Sequence, residues 1–194
     1  MKKILCAWLA IFCLLGLAGC GGGQTAENID EDRDFVGGGF GYVIPAGWVK
    51  LEKYSTDDKV FYCLAGHEED KTPDNISVEV QSNRYAAEDH MQFRDAIVRQ
   101  LMTQLQGVPA TLTGDGTFTD DETVMYIFTI TEDATEEQLA ADPEAVGVIT
   151  RQYYIVGEKK YALVHLTSFY NDEETLAAAD RMAKSFTWAQ ADAE

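Results

Sequence analysis

Asn75-Ile76-Ser77-Val78-Glu79-Val80-Gln81, followed by the stretch from Asp89 to Leu105, decides the fold. Strand side chains alternate between faces, so Ile76, Val78 and Val80 point one way and Ser77, Glu79 and Gln81 the other. The period then changes. Phe93, Ile97, Leu101 and Leu105 recur every fourth residue, with Val98 and Met102 beside them, which makes an apolar helical stripe. Asp89 and Gln92 have the spacing of an N-cap and its partner, Gly107 stands where a C-cap would, and Pro109 prevents continuation. A strand with one polar face beside an amphipathic helix predicts a helix packed on a sheet.

Working outward, the same alternation recurs on both sides. Phe40, Tyr42 and Ile44 alternate with Gly41 and Val43, Pro45 stops the strand, and Ala46-Gly47-Trp48 reads as a turn into an anchoring aromatic. Lys59 to Leu64 is a second strand. After the helix, Thr111 to Thr119 is a strand broken by Gly114-Asp115-Gly116. Thr123 to Thr131 carries Val124, Tyr126, Phe128 and Ile130 on one side and Met125 and Ile127 on the other, so both faces of the sheet are covered there. Gly147–Val156 and Lys160–Ser168 form a hairpin through Gly157-Glu158-Lys159. Asn171 and Glu174 form a second capping pair for a closing helix with Leu176, Ala179, Met182, Ala183 and Phe186 on one stripe. Its acids lead and its bases Arg181 and Lys184 follow, as the helix dipole favours. Glu132 to Val146 holds six acids and no base and reads as a solvated insertion, with Thr135 and Gln138 capping a short helix.

The order is strand, strand, strand, helix, four strands, helix. Tyr42-Val43-Ile44-Pro45-Ala46-Gly47-Trp48 is similar to the opening of PsbP-like and Mog1-like domains, and the Asn75–Val78 strand before a long helix and the late hairpin before a final helix follow the same plan. The resemblance implies an α+β fold, an antiparallel β-sheet flanked by helices in an α/β/α sandwich, spanning residues 40–188. It also implies a secreted or lipid-anchored bacterial protein. The plant members support photosystem II and the Mog1 type binds a small GTPase; neither role carries over, because a fold alone does not fix function.

The N-terminus is an address. Met1-Lys2-Lys3 is followed by an uncharged run from Ile4 to Leu17, too short for a comfortable span and of the length of a secretory core. It ends in Leu17-Ala18-Gly19-Cys20, which resembles a lipobox. The resemblance implies cleavage before Cys20, a signal peptide of residues 1–19 and two acyl chains on the Cys20 thiol; an ordinary signal peptide or an uncleaved anchor are the other readings. One acyl chain binds only marginally and two hold stably. The full chain has 33 acidic against 15 basic residues, a net charge of −18, and cleavage would remove Lys2 and Lys3 to leave 13 basic against 33 acidic, a net charge of −20, so the domain needs that anchor because anionic lipid repels it. The same charge excludes nonspecific nucleic-acid binding. Residues 20–39 are expected to form the lipidated cysteine and an acidic, Gly-rich tether, and residues 189–194 a tail. Gly21 lacks the Asp that retains lipoproteins at the inner membrane, so a host with two membranes would carry it on the outer one.

Cys6 and Cys13 leave with the signal and Cys20 is alkylated, so Cys63 alone remains and no intramolecular disulfide is expected. Cys63 lies in an apolar run and reads as a small buried hydrophobe. His67, His90 and His165 show no catalytic spacing, and no nucleophile elbow is present. His67-Glu68-Glu69-Asp70 could face a metal only in part, and Asp115, Asp120, Asp121 and Glu122 do not match a calcium loop. Tyr153, Tyr154, Tyr161, Phe169 and Tyr170 are packing residues or, where exposed, a partner surface. The expectation is a non-enzymatic, extracytoplasmic envelope lipoprotein. It has no cofactor and no protein-bound metal, and it binds lipid through Cys20 and an envelope protein through its domain. A small-ligand or metal-binding uptake lipoprotein is the alternative, and an envelope enzyme the third.

Overall fold

The computed structural model describes residues 29–119, 123–141, 143, 147–169 and 172–189. Cys20 and the expected lipobox before it, the acids Asp120, Asp121 and Glu122, the side chain of Asp115, and Tyr170 and Asn171 lie outside the described residues.

Among the described residues, ten strands and three α-helices follow in the order β1 (Arg33–Gly37), β2 (Phe40–Ile44), β3 (Trp48–Lys50), β4 (Lys59–Leu64), β5 (Asn75–Ser82), α1 (His90–Gln104), β6 (Ala110–Thr119), β7 (Val124–Glu132), α2 (Glu136–Ala141), β8 (Ile149–Gly157), β9 (Lys160–Ser168), α3 (Glu173–Lys184) and β10 (Thr187–Trp188). Seven strands make one antiparallel sheet in the order β3-β4-β5-β9-β8-β7-β6, and β1-β2-β10 make a second. The late hairpin is tight: Gly157 pairs with Lys160, and Lys159 takes a positive φ of 53°.

Strand alternation then sorts the core into two layers. Tyr62, Ile76, Val78, Met125, Tyr153, Ile155, Val164 and Leu166 face α3 and the small sheet, joined by Tyr42, Ala179, Met182 and Phe186. Tyr126, Phe128, Ile130, Tyr154, Val156 and Leu163 face α1, where Phe93, Ile97 and Leu101 of the apolar stripe are buried. The architecture is therefore the expected α/β/α arrangement, with both faces of β7, β8 and β9 covered. Among the described residues no helix is long and apolar enough to cross a membrane.

Several expectations change. The folded part does not begin at Phe40: Arg33–Gly37 pairs with β2, Phe35 stacks on Tyr42 at 4.7 Å, and Arg33 Nη2 donates to the Trp48 carbonyl. The expected tether therefore contributes a strand, which its alternating Phe35 could not signal within so many glycines and acids. The Gly114-Asp115-Gly116 segment does not break its strand; β6 runs through with a register shift between Asp115 and Thr117. Asp89 Oδ1 accepts from the Gln92 side chain (2.9 Å) but caps no backbone N–H, because a 3-10 turn at Ala87–Asp89 precedes the helix. At α3 the cap is Asp172, not Asn171: its carboxylate accepts from Thr175 N and Oγ1, both at 3.0 Å. The Thr135–Gln138 box forms in both directions, at 2.8 and 3.2 Å. At the C-terminal end the expected tail starts with a bond, Ala189 N donating to Gly39 O at 2.9 Å.

Gly157 makes the closure of the small sheet possible. A Cβ there would stand 2.8 Å from the Trp188 ring, whose Nε1 donates to Val156 O at 3.2 Å.

Candidate functional site

The site is built where the incoming chain, the turn after β2 and the start of α3 meet. Pro45 ends β2, and Gly47 takes φ 80°, a left-handed conformation that glycine adopts at no steric cost. The chain thereby folds Trp48 inward opposite Leu64, leaving it 2% exposed. Three bonds hold the incoming segment against this turn. Gly47 N donates to Ile29 O (2.6 Å), Ala46 N donates to Asp32 Oδ1 (3.0 Å), and Asp32 Oδ2 pairs with the Arg181 guanidinium of α3.

α3 supplies the opposite wall. The Thr175 backbone N–H, followed by its side-chain hydroxyl, holds the Asp172 carboxyl below its ordinary pKa at the helix start. Ala177 and Ala178 are small, so a gap of about 300 Å³ remains between helix and turn, walled by Pro45, Trp48, Leu64 and Ala178 and rimmed by Asp32, Glu174 and Arg181. It is half open to solvent and sits at the lower end of the range for small-molecule sites, roughly 300–1,000 Å³.

A second polar feature lies on the other face of the sheet. His165 stands between Ser77 of β5 and Gln152 of β8, and Lys59 pairs with Glu79 at 3.5 Å nearby. The His165 Nε2 is buried with no hydrogen-bond partner, and burial, followed by the charge of Lys59, pushes its pKa down to about 4. The imidazole is neutral at pH 7 and acts as part of the sheet.

The other residues singled out in the sequence are scattered. Cys63 is fully buried across from Val49 and Asn75, and burial pushes its thiol up to about 11, which makes it a poor nucleophile. His67 bonds Asp70 at 2.7 Å on the surface, Glu69 pairs with Lys53 at 3.3 Å, and His90 bonds the Tyr126 hydroxyl at 2.6 Å. No group of three His, Cys, Asp or Glu side chains converges among the described residues. Tyr153 and Tyr154 are core residues on opposite faces of the sheet, and Tyr161 packs against Tyr154 and Phe93, so these three serve packing. Sequence reasoning missed Asp32, Glu174 and Arg181 as site residues. Asp32 lies in an acidic stretch and Arg181 sits 149 positions away, so only the fold joins them.

No protein-family model and no curated protein sequence matches the chain. Solved structures do. The PsbP of the cyanobacterium Synechocystis sp. PCC 6803 superposes with a TM-score of 0.52 at 16% identity, covering 89% of this chain and 98% of that one. A Mog1 E65A mutant superposes at 0.50 and 14% identity, covering 81% and 96%. The fold is that of the PsbP/Mog1-like domains. LpqN of Mycobacterium tuberculosis, described as involved in cell envelope biogenesis, aligns at a TM-score of 0.48 and 13% identity, over 81% of this chain and 90% of that one. Within the PsbP/Mog1-like domain the cleft lies on the α3 side, at the turn whose sequence carries the family resemblance, and the His165 strip on the α1 side.

Proposed function

We propose that this protein is a bacterial envelope lipoprotein, anchored outside the cytoplasm through acylated Cys20, whose PsbP/Mog1-like domain binds a partner protein without catalysing a reaction. The cleft carries this reading. It is preformed, half open and small, with an ion pair fixed across its rim, which suits a protruding side chain of another protein. Anchoring through Cys20 would also fix where the cleft sits. Ile29, bonded at the cleft, is nine residues after Cys20. At roughly 3.3–3.6 Å per residue, a lipidated Cys20 would keep the cleft within about 30 Å of the bilayer. The partner is then a protein at the same membrane surface.

The experiment is comparative purification of the lipidated protein and an Ala46→Trp variant from the native envelope. Ala46 is an exposed lining residue, so the bulky ring fills the cleft at little cost to the core. A partner stoichiometric with wild type and lost from Ala46→Trp is expected; wild-type protein that purifies alone from crosslinked membranes would overturn the reading.

A further inference from the structure

We propose that the cleft receives a basic side chain, arginine or lysine, next to an apolar residue on an exposed segment of the partner. The inference rests on the partner-binding reading and names the chemistry of its occupant.

The charges of the rim decide the sign. Both oxygens of Asp32 are engaged, one by Ala46 N–H and one by Arg181, so the Arg181 charge is already answered inside the protein. Glu174 has no cationic partner among the described residues, which leaves the rim with one free negative charge. An anion would meet Glu174 and would compete with Asp32 for Arg181. A cation meets a free carboxylate and breaks nothing.

The walls decide the shape. Pro45, Trp48, Leu64 and Ala178 offer an apolar trough leading to that carboxylate. Arginine and lysine match it, because their methylene stems lie along apolar surface while the head group reaches a polar rim. A metal ion would gain nothing from the trough. The net charge of −18 adds a long-range field that draws a basic segment in and repels an acidic one.

The test is a calorimetric titration of the mature lipidated protein, in micelles of a neutral detergent, with acetyl-Leu-Arg-Leu-amide. The peptide with citrulline in place of arginine removes the charge and keeps the shape. Expected are saturable binding of the arginine peptide and at least tenfold weaker binding of the citrulline peptide. Glu174→Gln, which removes the charge and keeps the shape, and Ala46→Trp, both at exposed positions, should each weaken the arginine peptide about tenfold, with urea melts showing that each variant is folded. Equal affinity for the two peptides, or wild-type affinity in both variants, overturns the proposal. So does free L-arginine binding as tightly as the peptide, which would make the cleft a small-solute site. Deletion of residues 24–28 that raises affinity tenfold would show the protein's own N-terminal segment in the cleft, and would also overturn it. Failure here with a partner still lost from Ala46→Trp would mean the occupant is not basic, while the partner-binding reading stands.

Discussion

Trp48 lies across from Leu64, is 2% exposed, and accepts at its carbonyl from Arg33. Replacing it by alanine opens a cavity in the core and in the cleft wall at once. Trp48→Ala should cost about 3–5 kcal/mol, read as a fall in the urea midpoint. An unchanged midpoint would place the indole outside the core. His165 makes a different prediction. Its pKa is pushed down to about 4 by burial, while in the unfolded chain it titrates near the ordinary value of 6.5. Between those values the unfolded state binds more protons, so this contribution to stability is complete above the unfolded pKa and is lost as pH falls toward 4. Wild type should therefore lose stability from pH 7 to pH 4.5 more steeply than His165→Gln. Parallel slopes in urea melts at the two pH values would contradict a buried neutral imidazole.

Among the elements, β1 and α3 hold the site in place. The pairing of β1 with β2 and the Asp32 contacts tie the incoming chain to the body. A chain starting at Ile29 should melt like one starting at Gly21, whereas one starting at Phe40 loses β1, its Phe35–Tyr42 stacking and the Asp32–Arg181 pair, and should melt at clearly lower urea. Identical melts would return residues 29–39 to the status of a tether. Asp172 caps α3 through Thr175. Asp172→Ala should cost about 1 kcal/mol, typical for an N-cap, and its removal should not disturb α1. Amide exchange localised to the first turn of α3 would confirm it; protection lost throughout the domain would not fit.

At the scale of the molecule, the large sheet and its two helices could be read in the sequence because their signals are local and periodic. Ile76, Val78 and Val80 alternate, and Phe93, Ile97 and Leu101 recur at helical spacing, and these are buried as expected except Val80, which is half-buried. Trp48 and Cys63 were legible for the same reason. β1 and β10 were not, because Arg33–Gly37 and Thr187–Trp188 are short and become strands only through pairing with β2. The cleft was legible only in its floor. Pro45-Ala46-Gly47-Trp48 marks the turn, but the meeting of Asp32 with Arg181 is a product of the whole fold. The stretch ending at Cys20 that resembles a lipobox concerns the N-terminus, and the proposed place of this domain at a membrane depends on it. Mass spectrometry of the N-terminal peptide from protein isolated out of its native envelope measures that directly. The account predicts a mature chain beginning at Cys20 with a diacylglyceryl group on its thiol; a mature chain carrying an unmodified Cys20, or one beginning at another residue, would contradict it.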